Sequence, residues 1–309
     1  MSFTVFHSTD PKLLTGSAPH LTVEAEYGTT VVEGSLYTAA HHQPAGSKYA
    51  GDHVVAGGRP SPCVDVGIPL LNPEEGAWVV GISHLDLDTI GGVLRALPDA
   101  ADIFAPAHDG FWRLAAFLDV NGAHKMSRAG AQHEDIERVF AWWAHNKSIP
   151  RLPLNTLTDA TELVLGCLPV LRALLADDTK LLEAGRAFQQ EQRKLNEDSF
   201  SFMTEDDVSI IVRVAPGQRD FVNHLYDAPD GSLGVAVVAH NKYIGTITIS
   251  LESPIPGVSC RDVVQSLWGE LAGGHAGIAG SPRGRVMTEL DVDAVVLALE
   301  AAIVRAQAA

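Results

Sequence analysis

The chain has 309 residues, enough for one large domain or two of ordinary size, and its 46% apolar and 19% charged residues are those of a globular protein. A formal net charge of −16 argues against tight, sequence-independent binding of long nucleic acid, which relies on Lys and Arg neutralising phosphates. No apolar run approaches the roughly 20 residues that span a bilayer.

The opening Met1-Ser2-Phe3-Thr4-Val5-Phe6-His7 has neither a basic nor an apolar leader region, so the expected location is the cytoplasm. Cys63, Cys167 and Cys260 are far apart and in no metal-type spacing, which predicts buried, reduced thiols.

Residues 1–78 are rich in Gly, Pro, Thr and His. They read as an irregular N-terminal extension belonging to the first domain. Leu21 to Tyr27 and Thr29 to Tyr37 suggest a hairpin joined at Gly28, followed by a long loop through Pro62. Ala77 to Ser83 reads as a buried strand and Ile90 to Leu97 as the helix after it. Asp102 to Ala107 is a second strand candidate. Strands alternating with helices predict an α/β layer around a parallel sheet.

Ile136, Val139, Phe140 and Trp143 recur at helical spacing, so 133–145 is expected to be an amphipathic helix, with Trp142 off its apolar stripe. Helical pattern continues from about 159 to 197. Asp159 and Glu162 form a candidate capping box there, and Pro169 is expected to kink or divide the helix. The charged stretch Asp178 to Glu197 reads as a connecting helix.

The pattern changes near 200. Val208 to Val214, Gly234 to Val238 and Gly245 to Leu251 read as strands. A helix with Ser259 as N-cap follows, ended by Gly273, and a last helix spans about 291–306. The expected organisation is therefore 1–78 as part of the first domain, then 79–200 as a parallel-sheet α/β domain with a helical linker, and 205–309 as a smaller α/β domain.

Two segments carry chemistry. His84-Leu85-Asp86-Leu87-Asp88 follows directly on the buried strand. Were the strand to continue, its period of two would point all three polar side chains to one side, at the carboxyl end of a parallel strand where α/β sheets bind ligands. One imidazole and two carboxylates suit Mn²⁺, Fe²⁺ or Zn²⁺ better than Ca²⁺. The same carboxylates would also serve as caps for the next helix. The second segment, residues 273–284, packs Gly273, Gly274, His275, Gly277, Gly280, Arg283 and Gly284 into a short stretch. Glycine permits close backbone approach to a ligand, and His and Arg suit an anion. A plain turn-rich loop has the same composition.

Ile82-Ser83-His84-Leu85-Asp86-Leu87-Asp88-Thr89-Ile90-Gly91-Gly92 resembles the first motif of the DHH phosphoesterase superfamily. The strand Gly245 to Ser253, a helix, and then Ala272-Gly273-Gly274-His275 with Ala279-Gly280 is similar to the DHH-associated C-terminal domain. The resemblance implies a two-domain enzyme that hydrolyses a phosphoester or phosphodiester in an interdomain cleft. His84, Asp86 and Asp88 would hold one or two ions, Mn²⁺ first, with Mg²⁺, Fe²⁺ and Zn²⁺ as alternatives. Gly273, Gly274, His275 and Arg283 would grip the substrate's phosphate.

The chain departs from the family in lacking the Asp-His-His motif downstream of the first. Asp119 is a candidate additional ligand, and His124, beside Lys125, joins Asp86 and Asp88 as a candidate catalytic group; His108 and Asp109 lie nearby. All of these also suit surface loops. Paired histidines occur upstream instead, at His41-His42, with His53 further on. The extension is therefore expected to bring one of them to the site, unless they are exposed loop residues.

The expected substrate is a small, phosphorylated or nucleotide-like anion. Neither long nucleic acid nor a membrane is an expected partner, and a homodimer is compatible with the sequence. Hydrolysis of another bond, or nucleotide binding without catalysis, are the rival readings.

Overall fold

In the computed structural model the described residues are 3–25, 32–40, 60–72, 76–121, 123–197, 200–203, 208–215, 226, 233–282 and 285–308. The chain is mixed α/β with two sheets and divides into two compact units, Met1–Phe188 and Gln189–Ala309. Among the described residues no helix is long and apolar enough to cross a membrane.

The first unit begins with β1 (Phe3–His7). The helix α1 (Pro11–Gly16) follows, with the Asp10 carboxylate accepting from the Lys12 amide at 2.9 Å and Pro at its start, where no amide is missed. Next come β2 (Leu21–Val23), β3 (Tyr37–Ala39), a 3-10 turn at Pro62–Val64, and β4 (Trp78–Ile82). Then follow α2 (Leu87–Arg95), 3-10 segments at Pro98–Phe104 and Pro106–His108, α3 (Asp109–Asn121), a 3-10 segment at Ala123–Arg128, and α4 (His133–Asn146). The short β5 (Thr158–Asp159), α5 (Thr161–Leu175) and α6 (Thr179–Glu197) complete the series, and the division into units falls inside α6.

The sheet order is β3-β2-β4-β1-β5, parallel except for β5. Val5, Val80 and Ile82 belong to the core cluster covered by α2 and α5, while Phe6 packs with Leu14 of α1. Helices on both faces make this a doubly wound layer, with strands buried on either side.

Several expectations are corrected. β2 and β3 are parallel neighbours, with Leu21 opposite Tyr37, so they form no hairpin. The apolar run at Asp102–Ala107 is helical: prolines open both 3-10 segments around it, and β4 already has a strand on each side. α5 passes through Pro169, whose ring lies on an exposed face; the break comes at Asp177, with φ 59°. Asp159 caps from one position earlier than expected, accepting from the Thr161 amide while Ala160 is the N-cap. Trp142 is 1% exposed, because α4 is covered by both α3 and α5; Trp143 is half-buried against Phe140. All three cysteines are buried free thiols, as expected.

The second unit contains β6 (Phe200–Met203), β7 (Ser209–Ala215), β8 (Ala236–Asn241), β9 (Thr246–Leu251), α7 (Cys260–Trp268), β10 (Gly273–Gly274), β11 (Ile278–Gly280) and α8 (Glu289–Gln307). Its sheet order is β10-β11-β9-β8-β7-β6, and only β7 and β8 pair in parallel. Ile210, Val212, Val238, Ile247 and Ile249 share one core with Val264 of α7 and Leu299 of α8. Ser259 caps α7 as expected, its hydroxyl accepting from the Asp262 amide. Gly269, at φ 81°, ends α7, not Gly273.

Candidate metal centre

Four parallel strands deliver their carboxyl ends to one edge of the first sheet: His7, Val23, Ala39 and Ile82 end β1 to β4. From β1 the chain crosses toward β2, and after β4 it returns to the opposite side at β5. The crevice between the ends of β1 and β4 is therefore a topological switch point, the usual ligand position in such sheets.

The polar cluster sits there by a different route from the one expected. The strand stops at Ile82 instead of continuing through Asp88. The turn at 83–86 and the first turn of α2 then bring His84, Asp86 and Asp88 together, with one ligand atom from each lying within 4.8 Å of the others. No other group of three such residues meets this condition among the described residues. Asp86 is also the helix cap, its Oδ1 accepting from the Thr89 amide at 3.3 Å, while its Oδ2 faces His84 Nε2 at 3.1 Å. Capping and site formation are thus the same arrangement.

His84 is held from behind. The Ser83 hydroxyl donates its one proton to the Glu24 carbonyl, so toward His84 Nδ1, 2.7 Å away, it can only accept. The proton is thereby fixed on Nδ1 and Nε2 is turned to Asp86, as in histidines that bind metals with a supporting hydrogen bond behind them. His84 and Asp86 are 45% and 46% exposed along their side chains, so solvent reaches both.

Burial acts to lower the His84 pKa, but the Asp86 carboxylate overrides it and raises the value to about 9, with Glu24 and Asp119 adding to the rise. Burial acts to raise the Asp86 pKa, and His84 overrides it, holding the carboxyl well below the usual range. Asp88 has no such partner. It is 4% exposed, its Oδ2 is buried without a hydrogen bond, and burial followed by the charges of Asp86 and Asp119 pushes its carboxyl well above the usual range.

Asp119, half-buried on α3, lies close enough for its charge to act on both His84 and Asp88. His41, His42, His53 and Arg283 lie outside the described residues. His124 is on the 3-10 segment Ala123–Arg128, and its side chain too lies outside the description. His108 and Asp109 stand at the start of α3, where Asp109 pairs with Arg113 at 3.6 Å in solvent.

Gly273, Gly274 and His275 are together in the second unit, on a hairpin at the sheet edge. Gly274, at φ 147°, permits the tight strand pairing, because a Cβ there would stand 2.5 Å from the Ala279 Cα. The carbonyls of Gly274, Ala276 and Gly277 accept from Arg261 Nε and the amides of Cys260 and Leu251. The exposed faces of Gly273 and His275 remain accessible.

Three residues at the first site carry no local sequence signal. His7 is buried, hydrogen-bonds the Ser83 backbone, and has its pKa lowered by burial and by His84. Glu24 is buried at φ 47°, a left-handed backbone uncommon outside glycine. Ser83 touches both of the others.

No family model and no curated protein matches the chain. A solved structure described as a DHH domain, from a member of a family of ribosomal proteins, aligns at 11% identity and a TM-score of 0.39, covering 69% of this chain and 53% of its own. The chain thus spans about half the length of that relative. An uncharacterized protein from Helicobacter pylori G27 aligns at 11% identity and a TM-score of 0.23, covering 76% and 81%.

Proposed function

We propose that this chain is a divalent-cation-dependent hydrolase of the DHH phosphoesterase type, acting on a small phosphorylated or nucleotide-like substrate. The observation that carries the cation is Asp88, a buried carboxylate with an orphaned oxygen beside Asp86 and within the field of Asp119. Burying one carboxylate beside two others is costly unless a positive charge joins them. His84 Nε2 and the oxygens of Asp86 and Asp88 offer one nitrogen and several oxygens, a donor set suited to Mn²⁺, with Fe²⁺, Zn²⁺ and Mg²⁺ as alternatives. When bound, such an ion supplies Lewis-acid polarisation and an acidified water at neutral pH.

The residues of the chain divide the remaining work. Ser83 and Glu24 fix the His84 ring, and Asp86 joins the site to the start of α2. The helix start itself favours a negative group nearby. The phosphoester reading rests on the motif from Ile82 to Gly92, and the net charge of −16 favours a small substrate. Gly273 and His275, with Arg261 beside them, are the proposed anion holders of the second unit. Arg261 is a cation that residue spacing did not single out.

The test is metal content by mass spectrometry, followed by hydrolysis of bis-p-nitrophenyl phosphate with added Mn²⁺. Bound transition metal with Mn²⁺-dependent turnover supports the proposal. Bound metal with no phosphodiester turnover moves the reaction to another bond. Absence of metal binding overturns the proposal and leaves a non-catalytic binding protein.

A further inference from the structure

We infer that α8 is a dimer contact: its outer face pairs, antiparallel and about a two-fold axis, with the same helix of a second copy of this chain. The inference is independent of the cation reading and concerns the second unit alone.

α8 is apolar on two opposite faces. Val292, Val295, Val296, Leu299 and Ile303 are buried in the core of the second unit. The other face carries Leu290, Ala294, Leu297, Ala301, Val304 and Ala308, spaced by four and three residues in turn. That spacing lays one continuous stripe along a helix, as in the seam of a coiled coil. Leu290 is 79% exposed and Leu297 64%, and neither they nor Ala294 and Ala301 join a core cluster among the described residues. A helix that packs one face on its own core gives the other to polar groups, whereas a helix apolar all round is a buried one. The exposed apolar surface widens at the start of α8. There the Met287 amide donates to the Gly245 carbonyl at 2.9 Å, setting exposed Val286 beside the turn that carries exposed Tyr243 and Ile244. Contiguous exposed apolar surface of this kind marks a contact site.

The side-chain sizes identify what covers the stripe. Leu290, Leu297 and Val304 alternate with Ala294, Ala301 and Ala308. A parallel copy would stack leucine on leucine and alanine on alanine, leaving gaps at the alanine layers. An antiparallel copy sets Leu290 against the partner's Ala308, Leu297 against the partner's Ala301 and Val304 against the partner's Ala294. Large meets small at every layer, and the face is its own complement, as a two-fold interface requires.

Charge agrees with this orientation. Glu289 and Asp293 lie near the start of α8 and Arg305 in its last turn. Antiparallel pairing brings each acidic end to a basic one and opposes the two helix dipoles. Glu300 comes beside the partner's Glu300 near the axis, a repulsion at the solvated rim that salt screens. Nineteen residues give a contact about 28 Å long.

The experiment is sedimentation equilibrium of the full chain at concentrations from micromolar to about 100 μM, for wild type, Leu297→Glu, Ala301→Leu and the double variant Leu297→Ala/Ala301→Leu. Wild type should approach twice the chain's mass. Leu297→Glu should weaken the dimer at least about a hundredfold with an unchanged melting temperature at low concentration, since each residue of a two-fold interface counts twice. Ala301→Leu should weaken it by overpacking, and the double variant, with large and small exchanged, should recover most of the loss.

A wild-type chain that stays monomeric at the highest concentration would overturn the inference and give the stripe to a different partner. A dimer that survives Leu297→Glu would overturn it too, because the contact would then lie elsewhere. A double variant no better than Ala301→Leu would overturn the antiparallel pairing. Should Leu297→Glu fail to fold, Leu290→Lys, in the first turn of α8, takes its place with the same two outcomes.

Discussion

The Ser83 hydroxyl has one proton, and the Glu24 carbonyl takes it, so His84 must supply the other hydrogen bond. Replacing Ser83 with Ala frees the His84 ring to turn and to change tautomer. Calorimetry with Mn²⁺ should show about tenfold weaker binding with the fold intact. Asp88→Asn should do something less intuitive. A carboxyl whose folded pKa lies above its unfolded value contributes stability only at low pH and loses it as pH rises, so at neutral pH the Asp88 carboxyl lowers the stability of the fold. The variant should melt no lower than wild type in chelator, and should lose the rise in melting temperature that Mn²⁺ gives wild type. His84 sets the pH dependence. Its pKa is raised from 6.5 to about 9, so its pairing with Asp86 is fully present below 6.5 and fades as pH rises through 9. A metal must displace that proton, so affinity should climb between pH 7 and pH 9 by up to about tenfold per pH unit, read by the same calorimetry. His84, Asp86 and Asp88 are legible in the sequence because they lie within five positions of each other after an apolar run. His7 and Glu24 are not, because His7 merely ends β1 and Glu24 merely follows β2, and only strand order brings the two strands to β4.

At the scale of elements, α2 shows how sequence pattern and packing divide the work. Its apolar residues predict a helix over Ile90 to Leu97, and the helix runs from Leu87 to Arg95, starting earlier because Asp86 caps it. Gly91 and Gly92 sit in its middle, where propensity disfavours them by about 1 kcal/mol each. The 3-10 turn Pro62–Val64 explains them. A Cβ on Gly92 would stand 2.5 Å from Pro62 Cβ and 2.8 Å from Val23 Cγ1, and one on Gly91 would stand 2.7 Å from Cys63 Cβ. Gly92→Ala therefore sets a helix gain of about 1 kcal/mol against an overpacking cost of about 1–3 kcal/mol. The clash is with a proline ring that cannot swing away, so net destabilisation is expected, measurable by urea denaturation. Local pattern foretells β4, α2, α4, β7, β9 and α7 because each has its own periodicity. It misreads Asp102–Ala107 and the pairing of β2 with β3, since strand identity there depends on neighbours far along the chain. The glycine-rich segment 273–284 is in part an edge hairpin for the same reason: Gly274 answers to Ala279 and β9.

On the scale of the whole chain, the strand order gives the first residues a weight their composition conceals. The N-terminal stretch reads as an extension, yet β1 and β2 flank β4 on either side. A fragment beginning at residue 77 would leave β4 with both edges open, an invitation to aggregation. Expressed alone, such a fragment should be insoluble or lack a cooperative melt, whereas the intact chain should unfold cooperatively; circular dichroism on heating distinguishes the two. The insertion of β4 also orders events during synthesis. Both flanking strands leave the ribosome before it, and roughly 55 residues separate Val23 from Trp78. At about 5–20 residues per second, β2 waits roughly 3–11 seconds, and β1 somewhat longer, for the strand that joins them. Through that interval the nascent chain carries a gap of one strand's width in its sheet. A chaperone that shields strand edges has its natural moment of action there, before His84 exists to close the site.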